Sequence, residues 1–157
     1  MQRPDTPVHP EAAVAPGYLV NHAARVFNRL VDAMLRPHEL SMALLGPLLL
    51  LSWKGPMSQR DLVRFSAVKQ PAMVALLDKL ETAGAIVRSP APTDRRSATV
   101  SLTEKGQAMA DRGGQTLRDA NTVGMEGLSA KEVSKLVGLL GRLSHNLEQY
   151  DRKEYHA

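Results

Sequence analysis

Residues 80 to 106, LETAGAIVRSPAPTDRRSATVSLTEKG, confine this chain to few folds: a helix end, a strand, a charged loop, a second strand and a helix start follow in direct succession. Gly84 stands where a helix stops through a left-handed residue, and Thr103 with Glu104 supplies a capping oxygen and a carboxylate for a new helix. Ala85 to Ser89 and Ser97 to Leu102 are short enough to be the two strands of one hairpin. In the second strand, Ala98, Val100 and Leu102 are expected to face inward and Thr99 and Ser101 outward, while Pro90 and Pro92 keep the loop from pairing. The tip carries Asp94, Arg95 and Arg96. A hairpin that projects two arginines from one tip is suited to something anionic and narrow.

The block before it, MSQRDLVRFSAVKQPAMVALLDKLETAG, divides into two helices around a tight turn at Ser66 and Ala67. Ser58 and Asp61 form an aspartate version of a capping box for the first helix, which is expected to bury Leu62 and Phe65. Pro71 fits the first turn of the second helix, where its missing N–H costs nothing. Met73, Leu76, Leu77 and Leu80 recur at helical spacing and form a core face. The opposite face presents Gln70, Ala72, Ala75, Asp78 and Lys79, with Lys69 just before it; such small or polar residues let a helix approach base edges in a major groove.

These residues resemble the MarR family of bacterial transcription regulators over roughly positions 17 to 150. The matching fragments are V-x-Q-P opening the second helix, D-x-L-E-x-x-G closing it, the Asp94-Arg95-Arg96 wing, and V-x-L-T-x-x-G beyond. The resemblance implies a mainly α fold with a small β-hairpin, that is, a winged helix-turn-helix domain with helical dimerisation arms. One departure matters: Ala72 and Ala75 stand where relatives often place a hydroxyl or a basic side chain, so direct base readout is expected to be thinner here.

Charge distribution agrees. The net charge is +4, and from Met57 to Lys105 eight basic residues meet five acidic ones, placing three of the excess charges in that third of the chain. A basic contact face on a balanced body fits a nucleic-acid partner. On this reading one wing arginine enters the minor groove and the other meets a phosphate. With Arg96 inserted, Asp94 orients it and Arg95 takes the phosphate, although sequence alone does not decide which arginine inserts. Arg88 either touches a phosphate or pairs with Asp94. Ser58 and Gln59 open a helix whose N–H groups can meet a phosphate, or they serve as ordinary caps.

The remaining segments set expectations for the body. Residues 1 to 16 hold four prolines and read as a disordered tail. Positions 17 to 56 read as N-terminal helices for dimerisation and scaffold, 57 to 103 as the DNA-binding region, and 104 to 157 as C-terminal helices for dimerisation. The first helix carries Leu19, Ala23, Val26, Phe27, Leu30, Val31 and Met34 as one stripe. Ser41 caps a second helix to about Lys54, with Pro47 implying a late start or a kink. The helix from Glu104 is expected to bend at Gly113-Gly114. In the last helix, capped by Ser129 and Glu132, Val133, Leu136, Val137, Leu140, Leu143, Leu147 and Tyr150 form a seam for which a second copy of the chain is the economical partner.

Other chemistries find little support. Cysteine is absent, which excludes disulfides, thiolate zinc sites and redox thiols. The five histidines lack metal-ligand spacing, and no nucleophile motif occurs, so neither an enzyme, a metal nor a cofactor is expected. The N-terminus has no apolar signal segment, and the best apolar run, Met42 to Trp53, is short of the ~20 residues that span a bilayer, so a cytoplasmic protein without membrane contact is expected. His22, Arg25 and Trp53 either line an effector pocket, since the resemblance implies phenolic carboxylate ligands, or are ordinary interface or core residues. The alternative from another class is a winged helix used as a protein interaction module.

Overall fold

The computed structural model describes residues 14–90 and 98–155, with side chains up to residue 151. It contains two compact units, one ending at Ala120 and the other beginning at Asn121. In the first unit, helix α1 (Pro16–Leu35) starts with Pro16 in its first turn. Its N-terminal half is exposed along the apolar stripe, whereas Phe27, Leu30 and Met34 pack on the core and Val31 and Leu35 are fully buried. A 3₁₀ turn (Arg36–His38) follows, ending in the left-handed Glu39.

Helix α2 (Met42–Lys54) begins where Ser41 permits and not later. Ser41 Oγ accepts from the Leu44 amide at 3.3 Å, and Asp32 Oδ1 accepts from the Met42 amide at 2.7 Å. Those two acceptors hold the first turn, so Pro47 lies within an uninterrupted helix and only its missing donation to the Ala43 carbonyl is lost. Pro47 is itself buried, among Leu45, Leu48 and Leu51 of the same helix.

A short strand that the hairpin pattern does not reveal comes next: β1 (Met57–Ser58) pairs with the second hairpin strand and completes a three-stranded antiparallel sheet. Helix α3 (Gln59–Arg64) and helix α4 (Gln70–Thr82) precede β2 (Ile86–Pro90) and β3 (Ala98–Leu102). The strand order is β1-β3-β2, with register Met57↔Val100 and Ile86↔Leu102. Pro90 belongs to β2, opposite Ala98, against the expectation that it blocks pairing. An edge strand tolerates a proline whose missing N–H faces away from the ladder. Val100 is buried and Leu102 packs on the core as expected, but Ala98, at the far end of the hairpin, is exposed.

Helix α5 (Glu104–Gly124) is continuous through Gly113-Gly114, and the pair takes a packing role. Gly106, Ala110, Gly113, Thr116 and Ala120 are its buried residues, a seam of small side chains. A Cβ at Gly113 would overlap the Leu45 side chain, whereas one at Gly114 would find its nearest neighbours at 3.6 and 3.9 Å. The glycine that looked like a weak point admits a leucine from α2.

The second unit consists of the last residues of α5, a turn through the left-handed Gly127, and α6 (Ala130–Tyr155). Its start is a full capping box. Glu132 Oε2 accepts from the Ser129 amide at 2.8 Å and from the Ser129 hydroxyl at 2.7 Å, and Ser129 Oγ faces the Glu132 amide at 3.4 Å. None of the described α6 side chains is buried in the single chain.

Candidate nucleic-acid interface

Local chemistry builds the helix pair. The Ser58 hydroxyl accepts from the Asp61 amide at 3.1 Å and donates to Asp61 Oδ2 at 2.7 Å, which fixes the entry of α3. Leu62 is fully buried, but Phe65 is not a core residue: at 49% exposure it lies beyond the end of α3, with the Lys54 ammonium 4.7 Å and the Arg64 guanidinium 5.7 Å from its ring centre. Leaving the helix at Phe65 turns the ring outward, and two cations cover its face. The turn to α4 is held by Ser66, whose Oγ accepts from the Val68 amide at 3.2 Å.

Helix α4 begins with Lys69 as a cap residue that offers no side-chain bond and Pro71 in its first turn. Met73, Leu77 and Leu80 are buried, Leu76 is half-buried, and Gln70, Ala72, Ala75, Asp78 and Lys79 are all exposed. All five are therefore exposed, and Ala72, Ala75, Asp78 and Lys79 lie on the side of the helix away from Met73, Leu77 and Leu80. Ser58 and Gln59 are half-buried at the start of α3, and Lys69 is exposed.

The far end of α4 is stitched to the start of α5. Gly84 takes φ +71, as a left-handed helix stop requires. The Thr103 hydroxyl donates to the Gly84 carbonyl at 2.7 Å and accepts from the Gly106 amide at 3.1 Å, and the Thr103 amide donates to the Ala85 carbonyl at 3.0 Å. Lys105 Nζ donates to the Ala83 carbonyl at 2.7 Å, meeting one of the unpaired carbonyls at a helix end. Gly106 allows this approach, since a Cβ there would overlap the Ala85 carbonyl. Thr103, Lys105 and Gly106 of the T-x-x-G fragment thus each have a structural task at the junction of α4, β2 and α5.

Arg88 has a placement that neither sequence alternative included. From β2 its Nη2 meets Asp78 Oδ1 at 2.7 Å and its Nη1 lies 3.3 Å from Glu81 Oε2, so it bridges two carboxylates one turn apart on α4. The i, i+3 spacing puts the two acids on one side of the helix, but nothing in it points to Arg88. Asp94, Arg95 and Arg96 lie outside the described residues.

His22 and Arg25 are exposed on α1, where the His22 ring stacks on Tyr18 at 6.0 Å, and Trp53 is 72% exposed near the end of α2. Along α6, Val133, Leu136 and Leu143 are half-buried, while Leu140 and Leu147 are exposed. Among the described residues no three acidic or histidine side chains gather as metal ligands, and no helix is long and apolar enough to cross a membrane.

Two helices around a tight turn, the second with a buried apolar face and an outward face of small and polar residues, followed by a β-hairpin, constitute a winged helix-turn-helix. The MarR family model matches residues 40–98. The reduced form of MarR from E. coli superposes with a TM-score of 0.76 at 26% identity, covering 83% of this chain and 96% of that one. A mutant MarR from E. coli complexed with operator DNA gives 0.76 at 25% identity, covering 87% and 99%. A Mycobacterium tuberculosis MarR family protein in complex with p-aminosalicylic acid gives 0.68 at 30% identity, covering 83% and 99%. The chain belongs to the MarR family and is a DNA-binding transcriptional regulator.

Proposed function

We propose that this protein is a homodimeric repressor in the cytoplasm that binds a pseudo-palindromic operator and is released by a small aromatic carboxylate. The observation that carries the DNA-binding part is the outward side of α4, where Ala72, Ala75, Asp78 and Lys79 are exposed on a helix that buries Met73, Leu77 and Leu80. Gln70, Ala72 and Ala75 meet base edges, Lys69 and Lys79 meet phosphates, and Ser58 and Gln59 place the start of α3 beside the backbone. Arg96 or Arg95 from the wing enters a narrow minor groove, with Asp94 as orienting group. The operator complex of the E. coli relative supports DNA as the partner.

A second copy follows from the apolar surface left open. Leu19, Val20 and Val26 on α1 and Val137, Leu140 and Leu147 on α6 are all exposed in the single chain. Burying such patches is the usual reason for symmetric association, and a two-fold dimer reads two half-sites about one helical turn, ~34 Å, apart. Release follows if a ligand prefers a half-site separation that B-DNA does not match. His22 and Arg25, with Trp53, are the candidates for meeting a carboxylate and its ring, and the p-aminosalicylic acid complex of the mycobacterial relative supports that ligand class.

With alanines at 72 and 75, phosphates supply much of the affinity. A dimer neutralising on the order of six phosphates loses about a thousandfold in affinity between 50 and 200 mM salt. Fluorescence anisotropy with a duplex selected by the protein from a random-sequence library measures that slope. A nearly flat titration favours the protein interaction module instead.

A further inference from the structure

We propose that Arg88 is a positioning residue: it clamps Asp78 and Glu81 of the recognition helix and offsets their charge, instead of contacting DNA. The inference rests on the DNA-binding reading and assigns a role within that surface.

The guanidinium is already engaged on the protein. Its two terminal nitrogens face the two carboxylates at 2.7 and 3.3 Å, and its buried Nε has no partner among the described residues. Only 25% of the Arg88 side chain is exposed, against 57% for Asp78 and 42% for Glu81. The arginine thus lies beneath its partners and the carboxylates lie toward solvent. The acids are the more open partners on this surface.

The acids need an offset for two reasons. Asp78 is one turn beyond Ala75 on the exposed face of α4, where an unpaired carboxylate repels phosphates. Both acids also occupy the C-terminal part of a helix that ends at Thr82, where negative charge opposes the helix dipole. One planar guanidinium can meet both carboxylates at once, which an ammonium cannot do with the same fork geometry. Because Arg88 stands in β2, opposite Val100, the same contact ties the root of the wing to the recognition helix.

A double-mutant cycle separates this role from phosphate contact. Arg88→Gln is made in the native chain and in an Asp78→Asn, Glu81→Gln chain, and binding is measured against the duplex that the unmodified protein selects from a random-sequence library. The clamp predicts roughly tenfold weaker binding in the native background and a change within about twofold when both acids are neutral, a coupling of ordinary size for contacting charges. A phosphate contact predicts equal losses in both backgrounds, and that result, or no loss in the native background, overturns the proposal. Half-exposed ion pairs contribute little to folding, so the variants should melt close to the parent. Arg88→Lys carries the same cycle if the glutamine variant fails to fold; it should recover less than half of the lost affinity, and full recovery counts against the clamp. Failure of the unmodified protein to bind any duplex overturns the DNA-binding reading itself, and with it this role, before any variant is made.

Discussion

At the scale of single residues, the two adjacent glycines of α5 show how one residue type serves opposite purposes. Gly113 is buried with the Leu45 side chain in the space a Cβ would take, and Gly114 is open to ordinary van der Waals distance. Helix propensity alone makes alanine better than glycine at either site by about 1 kcal/mol. Overpacking reverses the sign at Gly113, where insertion into a filled core typically costs about 1 to 3 kcal/mol. We therefore expect Gly113→Ala to destabilise the protein and Gly114→Ala to leave it unchanged or more stable, as read by denaturant unfolding. Equal stabilisation by both would mean that α5 does not press on Leu45. Sequence alone showed two weak helix formers and suggested a bend; the difference between them exists only once α2 lies alongside.

At the scale of elements, the starts of helices were the most legible features, because a cap and its partner lie within four residues of one another. Ser41, Ser58 and Ser129 each cap the helix expected of them. The Ser129 hydroxyl and amide bonds hold the Glu132 carboxyl below its ordinary range. A depressed folded pKa means that the capping contribution is present above the unfolded value and is lost as pH falls through the folded one. Ser129→Ala should raise the Glu132 pKa toward the ordinary glutamate value in an NMR titration and weaken the helix start at neutral pH; an unmoved titration would show that the box is not the cause. What the sequence hid were the long-range placements. Strand β1 is two residues long and has no alternation to reveal it, Phe65 leaves α3 by a backbone turn, and Arg88 finds acids ten and seven positions away that local spacing did not single out. The outward face of α4 was legible because helical periodicity fixes it, whereas the wing tip rests on its motif alone.

For the whole molecule, the exposed surface of α6 sets the assembly to be tested. A helix of 26 residues with no buried side chain among those described gains little from its own chain. Seven of its apolar positions follow the three- and four-residue steps of a packing seam. Leu140→Glu with Leu143→Glu should yield monomers or unfolded chain in sedimentation velocity, and operator binding should fall even though α4 and its neighbours are untouched. Charging a seam removes burial that is otherwise favourable by about 25 cal/mol per Å² and leaves carboxylates facing each other. A double variant that remains dimeric and binds normally would place the interface elsewhere.

The stitched junction between α4 and α5 limits how this regulator can be adjusted. Thr103, Lys105 and Gly106 hold the carbonyls of Gly84, Ala83 and Ala85, just past the end of α4, at hydrogen-bond and contact distance. That arrangement leaves no slack for the end of α4 to move without the first turn of α5. A displacement of the first turn of α5 is therefore expected to reach the end of α4 and the start of β2 together. Variation that tunes sensitivity should accordingly accumulate away from these three residues, because a change at the joint alters every contact with the operator together.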